Sequence, residues 1–190
     1  MIKVRDWSNY QSRSYDHDPN KFLVDFLKEH RVRTAIDLGC GSGNDSVNMV
    51  KSGIKVTAID GQLNRNYILD RLNGDEKDRV SFIESTFEEV ELPTADLVAA
   101  IFSLPFCERD CFETLWNKIY VSINEGGYFV GQLFGDRDDW NAVDYINTFT
   151  IEEVKRYLKK YKLITFEEVE YVREYNNKKW HLFNIAAQKV

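Results

Sequence analysis

Two acidic residues flank a glycine-rich segment in the first third of the chain. The segment reads Ala35-Ile36-Asp37-Leu38-Gly39-Cys40-Gly41-Ser42-Gly43-Asn44, and a second apolar run ends at Asp60 about twenty residues later. An apolar strand that ends in a glycine turn and opens a helix is typical of a nucleotide site in a doubly wound α/β sheet. The spacing therefore predicts a ligand site at the first turn of such a sheet.

Two details of this segment argue against a dinucleotide. The third glycine of the dinucleotide pattern would stand at position 44, which is Asn44, and Asp37 lies two residues before the first glycine. The Asp37 carboxylate would repel a pyrophosphate, but it suits a ligand that carries an ammonium and a sulfonium group. A phosphate-binding P-loop is disfavoured as well, because no Lys or Arg stands between Asp37 and Met49.

The glycine segment at residues 37–43, together with Asp60, resembles motif I and the following acidic residue of the class I S-adenosylmethionine-dependent methyltransferases. The resemblance implies S-adenosyl-L-methionine as the cofactor, with the glycine turn close to its methionine part. It also implies that Asp60 accepts hydrogen bonds from both ribose hydroxyls, which suits a carboxylate because it offers two oxygens. The cofactor-binding residues expected on this basis are Tyr10, Asp37, Gly39, Cys40, Gly41, Gly43, Asp60, Gly61, Thr86, Phe87 and Ser103.

The loops after the third and fourth predicted strands depart from related enzymes. Where those enzymes usually carry an Asp that accepts from the adenine amino group, this chain has Thr86 followed by Phe87, with Ser85 and Glu84 as alternatives. Ser103-Leu104-Pro105-Phe106 stands where enzymes that methylate adenine or glutamine carry Asn or Asp, then Pro-Pro and an aromatic residue. Methylation of nucleic acid or of glutamine is therefore disfavoured.

Other segments resemble a bacterial subgroup of small methyltransferases that is named after the tellurite-resistance methyltransferase. They lie at residues 102–107, 124–127, 131–140 and 180–183. This resemblance implies a small methyl acceptor, with a metalloid oxyanion or a thiol as the examples. The family resemblance also implies that Trp7 and Tyr10 fold over the cofactor, with Tyr10 reaching its carboxylate.

His181 is the residue that we predict to be catalytic. It begins the final strand with Trp180, and the antiparallel direction of that strand would place both at the edge of the cofactor loops. An imidazole with an ordinary pKa of about 6.5 could accept a proton from a hydroxyl or thiol near neutral pH. A packed or solvated imidazole is the alternative. Aromatic side chains that could wall the acceptor are Phe102, Phe106, Phe134, Trp140 and Trp180.

The hydrophobic pattern predicts the elements that position these residues. Strands are expected at about 34–38, 55–60, 80–84, 96–102, 128–134, 163–174 and 179–188. Helices are expected after an N-cap at Asp18 with Pro19 in the first turn, at about 43–53, 67–74 and 108–123, and after a capping box at Thr150. The alternation predicts a three-layer, doubly wound α/β fold with a seven-stranded, mostly parallel sheet and a C-terminal antiparallel hairpin that turns at 175–178.

Length and composition limit the classes of function. The 190 residues suit one domain, with an N-terminal cover segment at about 1–30. With 31 acidic and 25 basic residues and a net charge of −6, nucleic acid is not expected as a partner. We expect a cytoplasmic protein, monomeric or homodimeric, without a membrane partner, because no apolar run approaches the roughly 18 residues of a membrane span. Cys107 and Cys111 have no His nearby in sequence, so no metal site is predicted.

Three functions follow from these observations. The first is a methyltransferase that moves the methyl group in line to a small molecule. The second is a noncatalytic module that binds S-adenosylmethionine, although the complete glycine turn and Asp60 argue against the loss of activity. The third is a methyltransferase that acts on a macromolecule, which the acidic net charge disfavours.

Overall fold

A computed structural model of the chain describes residues 6–174 and 176–190. The strands are β1 (Thr34–Leu38), β2 (Lys55–Asp60), β3 (Val80–Glu84), β4 (Ala95–Ala100), β5 (Ile123–Gly135), β6 (Thr148–Phe149), β7 (Tyr161–Arg173) and β8 (Lys178–Lys189). The α-helices are α1 (Ser8–Ser14), α2 (Lys21–Glu29), α3 (Asn44–Lys51), α4 (Arg65–Leu69), α5 (Gly74–Lys77), α6 (Phe112–Ser122) and α7 (Ile151–Tyr157). Short 3₁₀ helices lie at Leu104–Phe106, Arg109–Cys111, Asp139–Ala142 and Leu158–Lys160.

The strands form one sheet in the order β3-β2-β1-β4-β5-β8-β7. β1 to β5 pair in parallel, and β8 pairs antiparallel with both β5 and β7. The predicted fold class is therefore confirmed, with the two-residue strand β6 as an addition that pairs with the end of β5. Tyr175, which we expected in the hairpin turn, lies outside the described residues.

The first three strands have the bounds that the sequence predicts. In β1 the residues Ala35 to Leu38 are all buried, because helices cover both faces of a parallel sheet. β5 begins at Ile123, five residues before its predicted start, since Ile123 pairs with Ala95 across a register shift in the ladder with β4. The predicted helix 108–123 is divided into a 3₁₀ turn and α6.

The N-terminal cover segment differs from its prediction. The N-cap of α2 is Asn20 and not Asp18, and its side chain accepts a hydrogen bond from Phe22 N at 3.0 Å. The Asn20 N–H donates to Asp45 Oδ1 at 2.7 Å, a tertiary contact that holds Asn20 in the extended conformation a cap needs. Helix α1 was not predicted, because its sequence, SNYQSRS, lacks the apolar spacing of an amphipathic helix.

Two apolar cores lie on the two faces of the sheet. One packs α6 and α7 against the sheet through Phe112, Trp116, Val154 and Phe183. The other packs α2 and α3 through Leu23, Phe26, Met49 and Val50. These cores make the three layers, and the loops after β1 to β5 meet at the carboxyl edge of the sheet. In the described part of the chain, no helix has the length and apolar character needed to cross a membrane.

Candidate cofactor site

The glycine turn after β1 is bonded to the end of β2. The N–H groups of Gly39 and Cys40 both donate to Ile59 O, at 2.8 and 2.9 Å. The next N–H in the turn, of Gly41, donates to Asp60 Oδ2 at 2.9 Å. The two acidic strand ends singled out in the sequence are therefore joined by one turn at the carboxyl edge of the sheet.

The three glycines of this turn have different roles. All three have positive φ angles, of 79° at Gly39, 53° at Gly41 and 76° at Gly43. A Cβ on Gly39 would lie 2.4 Å from Ser103 Cβ, and one on Gly43 would lie 2.2 Å from Ile68 Cγ1, so packing requires glycine at both. At Gly41 no atom lies within 4 Å of such a Cβ. The backbone at Gly41 is therefore open to a ligand.

The two carboxylate oxygens of Asp60 each accept a hydrogen bond from a backbone N–H group. Oδ1 accepts from Gln62 N at 2.9 Å and Oδ2 accepts from Gly41 N. Burial raises the pKa of Asp60, and the two backbone N–H groups oppose that rise. Each carboxylate oxygen has a second lone pair, so two further donors can be accepted. The Asp60 carboxylate beside the open face of Gly41 thus fits the ribose of S-adenosylmethionine.

Asp37 lies beneath the turn, with an exposed fraction of 3%. Ser46 Oγ donates to its Oδ2 at 2.5 Å. Burial is the largest cause that raises the pKa of Asp37, followed by the charge of Asp45 nearby. A positively charged ligand group would favour the ionised carboxylate and offset part of this burial. The Asp37 carboxylate, as an acceptor and an anion, therefore fits a ligand with an ammonium or a sulfonium group.

The structure brings the other predicted loop residues to the same edge. Ser103 Oγ donates to Leu38 O at 2.6 Å, and both Ser103 and Phe87 lie beside Gly39. Thr86 lies 3.9 Å from the position of a Cβ on Gly61. Burial raises the pKa of the Cys40 thiol, and its backbone N–H makes the contact with Ile59. Whether these residues contact the cofactor remains a prediction.

Helix α1 and the residues after it cover the glycine turn. Trp7 N donates to Gln62 Oε1 at 2.6 Å, which ties α1 to the loop after Asp60. The Ser14 and Ser42 hydroxyls are 3.1 Å apart, and Asn44 Nδ2 donates to Ser14 O at 2.7 Å. These contacts place the segment over the glycine turn, and the expected folding of Trp7 and Tyr10 over the cofactor stays a prediction.

Tyr10 lies on the outer side of this cover. Tyr10 is 60% exposed, and its ring centroid is 6.2 Å from that of Trp7. The described contacts therefore place Tyr10 beside the cover segment. The expected contact of Tyr10 with the cofactor carboxylate remains a prediction.

Arg71 forms hydrogen bonds with both the cover segment and the glycine turn, a role that the sequence did not predict. Its Nη1 donates to Tyr15 O at 3.1 Å and to Asn44 Oδ1 at 2.5 Å, and its Nη2 donates to Ser42 O. The guanidinium carbon also lies 4.6 Å from the Tyr15 ring centroid. A single Arg after a short helix has no sequence signal for this role, because two of these partners are backbone carbonyls, of Tyr15 and Ser42, in segments distant along the chain.

The five aromatic residues expected on the acceptor side form one cluster. Centroid distances are 4.8 Å between Phe134 and Trp140, 5.1 Å between Trp140 and Trp180, and 5.9 Å between Phe102 and Trp180. Phe106 joins the cluster at 5.9 Å from Trp140. Phe102 has a φ of 50°, which is uncommon for a bulky residue and is a form of strain found at functional sites.

The aromatic cluster also contacts the N-terminal cover and a buried ion pair. Trp7 packs on Phe106 with centroids 4.8 Å apart. Lys178 Nζ lies 3.9 Å from the Trp180 ring centroid and donates to Asp138 Oδ1 at 2.5 Å. The cover segment therefore touches both the loop after Asp60 and the aromatic cluster.

The structure places His181 at the predicted edge of the sheet, but its side chain packs away from the aromatic cluster. The side chain is fully buried; Nδ1 accepts from Arg137 N at 3.1 Å, and Nε2 lies 3.0 Å from Glu168 Oε1. Successive residues of a strand face opposite sides of a sheet, so Trp180 joins the aromatic cluster whereas His181 packs on Phe183, 5.0 Å away. These contacts argue for a structural role and against a base that faces the acceptor.

The comparisons with known proteins agree with this geometry. The family model of tellurite resistance protein TehB matches residues 4–179. The crystal structure of TehB from Haemophilus influenzae has a TM-score of 0.78 and 22% identity, covering 96% of this chain and 66% of that chain. The 1,6-didemethyltoxoflavin-N1-methyltransferase of Burkholderia thailandensis has a TM-score of 0.73 and 19% identity, covering 100% and 93%. At these identities the two structures establish the fold.

A sequence match to a curated protein is confined to a short segment. Glycine N-methyltransferase of Oryctolagus cuniculus is 34% identical over 59 residues, which are 30% of this chain and 20% of that enzyme. The match thus spans about a fifth of the curated relative's length. The resemblance to the methyltransferase family that the glycine segment and Asp60 indicated is confirmed by the family match and the shared fold.

Proposed function

The chain belongs to the TehB family of tellurite resistance proteins, and on that premise we propose that it is an S-adenosylmethionine-dependent methyltransferase that acts on a small molecule. The observation that carries this proposal is the pairing of Asp60 with Gly41. A half-buried carboxylate with spare acceptor capacity lies 2.9 Å from the backbone nitrogen of a glycine whose open side has room for a ligand. Two of the solved structures with this fold contain S-adenosylhomocysteine, which supports the choice of cofactor.

In this reaction the residues of the chain would bind the cofactor and orient it toward the acceptor. The cofactor supplies an activated methyl group on a sulfonium. Asp60 would hold the ribose, and Asp37, below the glycine turn, would favour the positive charge of the methionine part. The cover segment, bonded to Ser42 and Gln62, would exclude water from the reacting groups. Because alignment supplies much of the rate in such a transfer, the fold alone does not imply a general base.

The acceptor that we propose is a small nucleophile, either a metalloid oxyanion or a thiol. The name of the family, tellurite resistance protein, supports a metalloid oxyanion. The aromatic cluster of Phe102, Phe106, Phe134, Trp140 and Trp180 touches the cover segment, so the acceptor side is lined by large side chains. The net charge of −6 weighs against a nucleic-acid acceptor.

Two measurements test the proposal. Calorimetry with S-adenosylmethionine, S-adenosylhomocysteine and NAD should show binding of the first two, and tight NAD binding with no response to S-adenosylhomocysteine would overturn the cofactor assignment. Release of S-adenosylhomocysteine is then measured with tellurite, selenite and a panel of thiols. Binding without turnover on any acceptor class, macromolecules included, would favour the noncatalytic module.

A further inference from the structure

A groove of about 810 Å³ lies at the amino edge of the sheet, away from the cofactor turn. It is lined by Arg33, which precedes β1, and by Lys55, the first residue of β2. The glycine turn lies at the opposite ends of these two strands. At about 3.3 Å per residue of strand, it is about 15 Å away. Lys28 and Arg31 also line this basic groove, above the apolar side chains of Leu27 and Ile54.

The charge of the basic groove differs in sign from that of the whole chain. No Asp or Glu is among its described lining residues, although the chain carries 31 acidic and 25 basic residues. Lys28 pairs with Asp25 at 2.8 Å. Among the described residues, no carboxylate lies within ion-pair distance of the side chains of Arg31, Arg33 or Lys55. These three cations are therefore available to a ligand.

A nearby carboxylate, Asp96, is already engaged by other donors. Its Oδ2 accepts from the backbone N–H groups of Arg33 and Thr34, each at 3.1 Å. Its Oδ1 accepts from Asn124 Nδ2 at 2.9 Å. Asp96 thus holds the backbone at the start of β1, and among residues 6–174 and 176–190 no carboxylate is paired with the Arg33 guanidinium.

Helix dipoles explain only part of this charge. α2 and α3 both end at the groove, and basic residues in a last helical turn are stabilised by the negative end of the dipole. The dipole of α2 stabilises the charge of Lys28. It falls off within one turn, so it does not stabilise the charges of Arg33, just before β1, or Lys55, the first residue of β2. Lys55 N donates to Arg33 O at 2.9 Å, so the two residues lie side by side where neighbouring strands begin.

We propose that the basic groove binds a phosphate-bearing small molecule of nucleotide size. Arg guanidinium groups match phosphate oxygens with two parallel hydrogen bonds, and a neighbouring Lys adds a point charge. The volume falls in the range of about 300–1,000 Å³ that is usual for small-molecule sites. Leu27 and Ile54 give the organic part an apolar surface. The site is separate from the methyltransferase site and does not rest on the proposed function.

The test is calorimetry on the full chain with ATP and, separately, inorganic pyrophosphate as the probes. S-adenosylhomocysteine is kept at a saturating concentration, so that adenosine recognition at the cofactor turn does not contribute. The double variant Arg33→Ala/Lys55→Ala should weaken ATP binding at least 10-fold. The matched control Lys159→Ala/Lys160→Ala removes the same charge from the exposed turn after α7 and should change the affinity less than 2-fold.

The proposal is overturned if ATP fails to bind at millimolar concentration, or if both double variants weaken it equally, since that would be a nonspecific charge effect. Equal affinity for pyrophosphate and ATP would overturn the role of the apolar surface. Both variants should keep the wild-type circular dichroism and S-adenosylhomocysteine affinity. If S-adenosylhomocysteine does not bind the wild type, the proposed function fails, whereas the comparison of the two double variants still decides the groove.

Discussion

Gly135 leaves the space that the ring of His181 occupies. A Cβ built on Gly135 would lie 2.0 Å from His181 Nδ1, although the backbone of Gly135 has an ordinary negative φ. The imidazole in this space accepts from Arg137 N and contacts Glu168, so it joins the end of β5 to β7 across β8. The two residues therefore form one packing unit at the carboxyl edge of the sheet.

We expect Gly135→Ala to destabilise the fold by about 1–3 kcal/mol through overpacking. His181→Ala should destabilise it by about 2–4 kcal/mol, because it leaves a cavity and an unpaired Arg137 N–H. In the double variant the added methyl enters the vacated space, so the loss should be smaller than the sum by about 0.5–3 kcal/mol. Urea unfolding of the four proteins measures this coupling, and additive losses would contradict it.

The same His181 variant decides between the structural and the catalytic role. A base facing the acceptor would predict turnover lowered by roughly 10²-fold, with stability retained and the acidic limb of the pH profile lost. The buried position predicts that stability falls and that any change in turnover follows the loss of folded protein. Turnover at a temperature where the variant is fully folded separates the two outcomes.

Asp60→Ala should weaken S-adenosylhomocysteine binding by about 1.5–3 kcal/mol, the range of hydrogen bonds to a charged group. The change removes the acceptor of Gly41 N and Gln62 N together with the expected ribose contacts. Asp78→Ala serves as the control, since Asp78 is an exposed carboxylate after α5. Calorimetry on both variants is the measurement; an unchanged affinity for Asp60→Ala would place the ribose elsewhere.

Gly41→Ala should separate ligand binding from folding. Alanine in the left-handed region costs about 1–2 kcal/mol, and Gly41 has a φ of 53° with open space around a Cβ. Gly53 gives a matched control, because its φ is 87° and its Cβ position is equally open, but it lies at the end of α3 away from the turn. Both variants should lose similar stability, and only Gly41→Ala should lose cofactor affinity, by about 10-fold or 1.4 kcal/mol. Equal affinities would show that no ligand lies against Gly41.

The parts of this fold that follow local rules were predictable from the sequence. β1, β2 and β3 are apolar runs that end at a turn or an acidic residue, and their bounds match the prediction. β1 lies inside the sheet and is buried at four of its five positions, as expected for a parallel strand that is covered on both faces. The order of these strands along the chain also placed Asp37, Gly41 and Asp60 at one edge. The glycine turn was thus identified before its contacts were known.

The remaining features depend on tertiary contacts that carry no local signal. α1 is held by Gln62 and Ser42, and β6 is a two-residue strand that exists only because β5 extends past β4. His181 lies with Trp180 at one edge of the sheet, but neighbouring residues of a strand face opposite sides, so the catalytic role of His181 stays a prediction that its burial disfavours. The role of Arg71 could not be seen, since three of its acceptors are backbone carbonyls.

The stability of the protein should depend on the ionisation of Asp37. Burial raises the folded-state pKa of Asp37 above the ordinary value of about 3.9, so in the window between the two values the folded state binds more protons than the unfolded state. The free energy of unfolding should therefore be highest below this window, fall as the pH rises through it, and level off above the folded pKa. Asp37→Asn should reduce that slope, and urea unfolding at a series of pH values measures it.

Cofactor binding should have the opposite pH dependence. A cationic ligand group favours the ionised Asp37 carboxylate, so the affinity should rise with pH through the same window and then level off. Asp45 and Asp60 also have raised pKa values and contribute to the remaining slope in Asp37→Asn. Calorimetry with S-adenosylmethionine at each pH is the check; an affinity that falls with rising pH would exclude Asp37 as the group that faces the positive charge.

The last prediction concerns Arg71, which connects the cover segment to the glycine turn. Arg71→Met keeps much of the side-chain volume but removes the donors to Tyr15 O, Asn44 Oδ1 and Ser42 O. We expect the cover segment to open more often, which should raise the rate of tryptic cleavage at Arg13 in α1. Cofactor affinity should fall about 10-fold, or 1.4 kcal/mol, if closure of the segment contributes to binding.

Two comparisons make this test specific. Arg65→Met removes an exposed guanidinium that lies 5.6 Å from the Phe82 ring and has no described contact with the cover segment, so it should leave both readouts unchanged. Arg71→Lys keeps the charge but loses the planar fork, and should recover only part of the protection because one ammonium cannot reach the separate carbonyls together. In the wild type, S-adenosylhomocysteine should slow cleavage at Arg13. If Arg71→Met is cleaved and binds like the wild type, the cover segment is held by its serine and glutamine contacts alone.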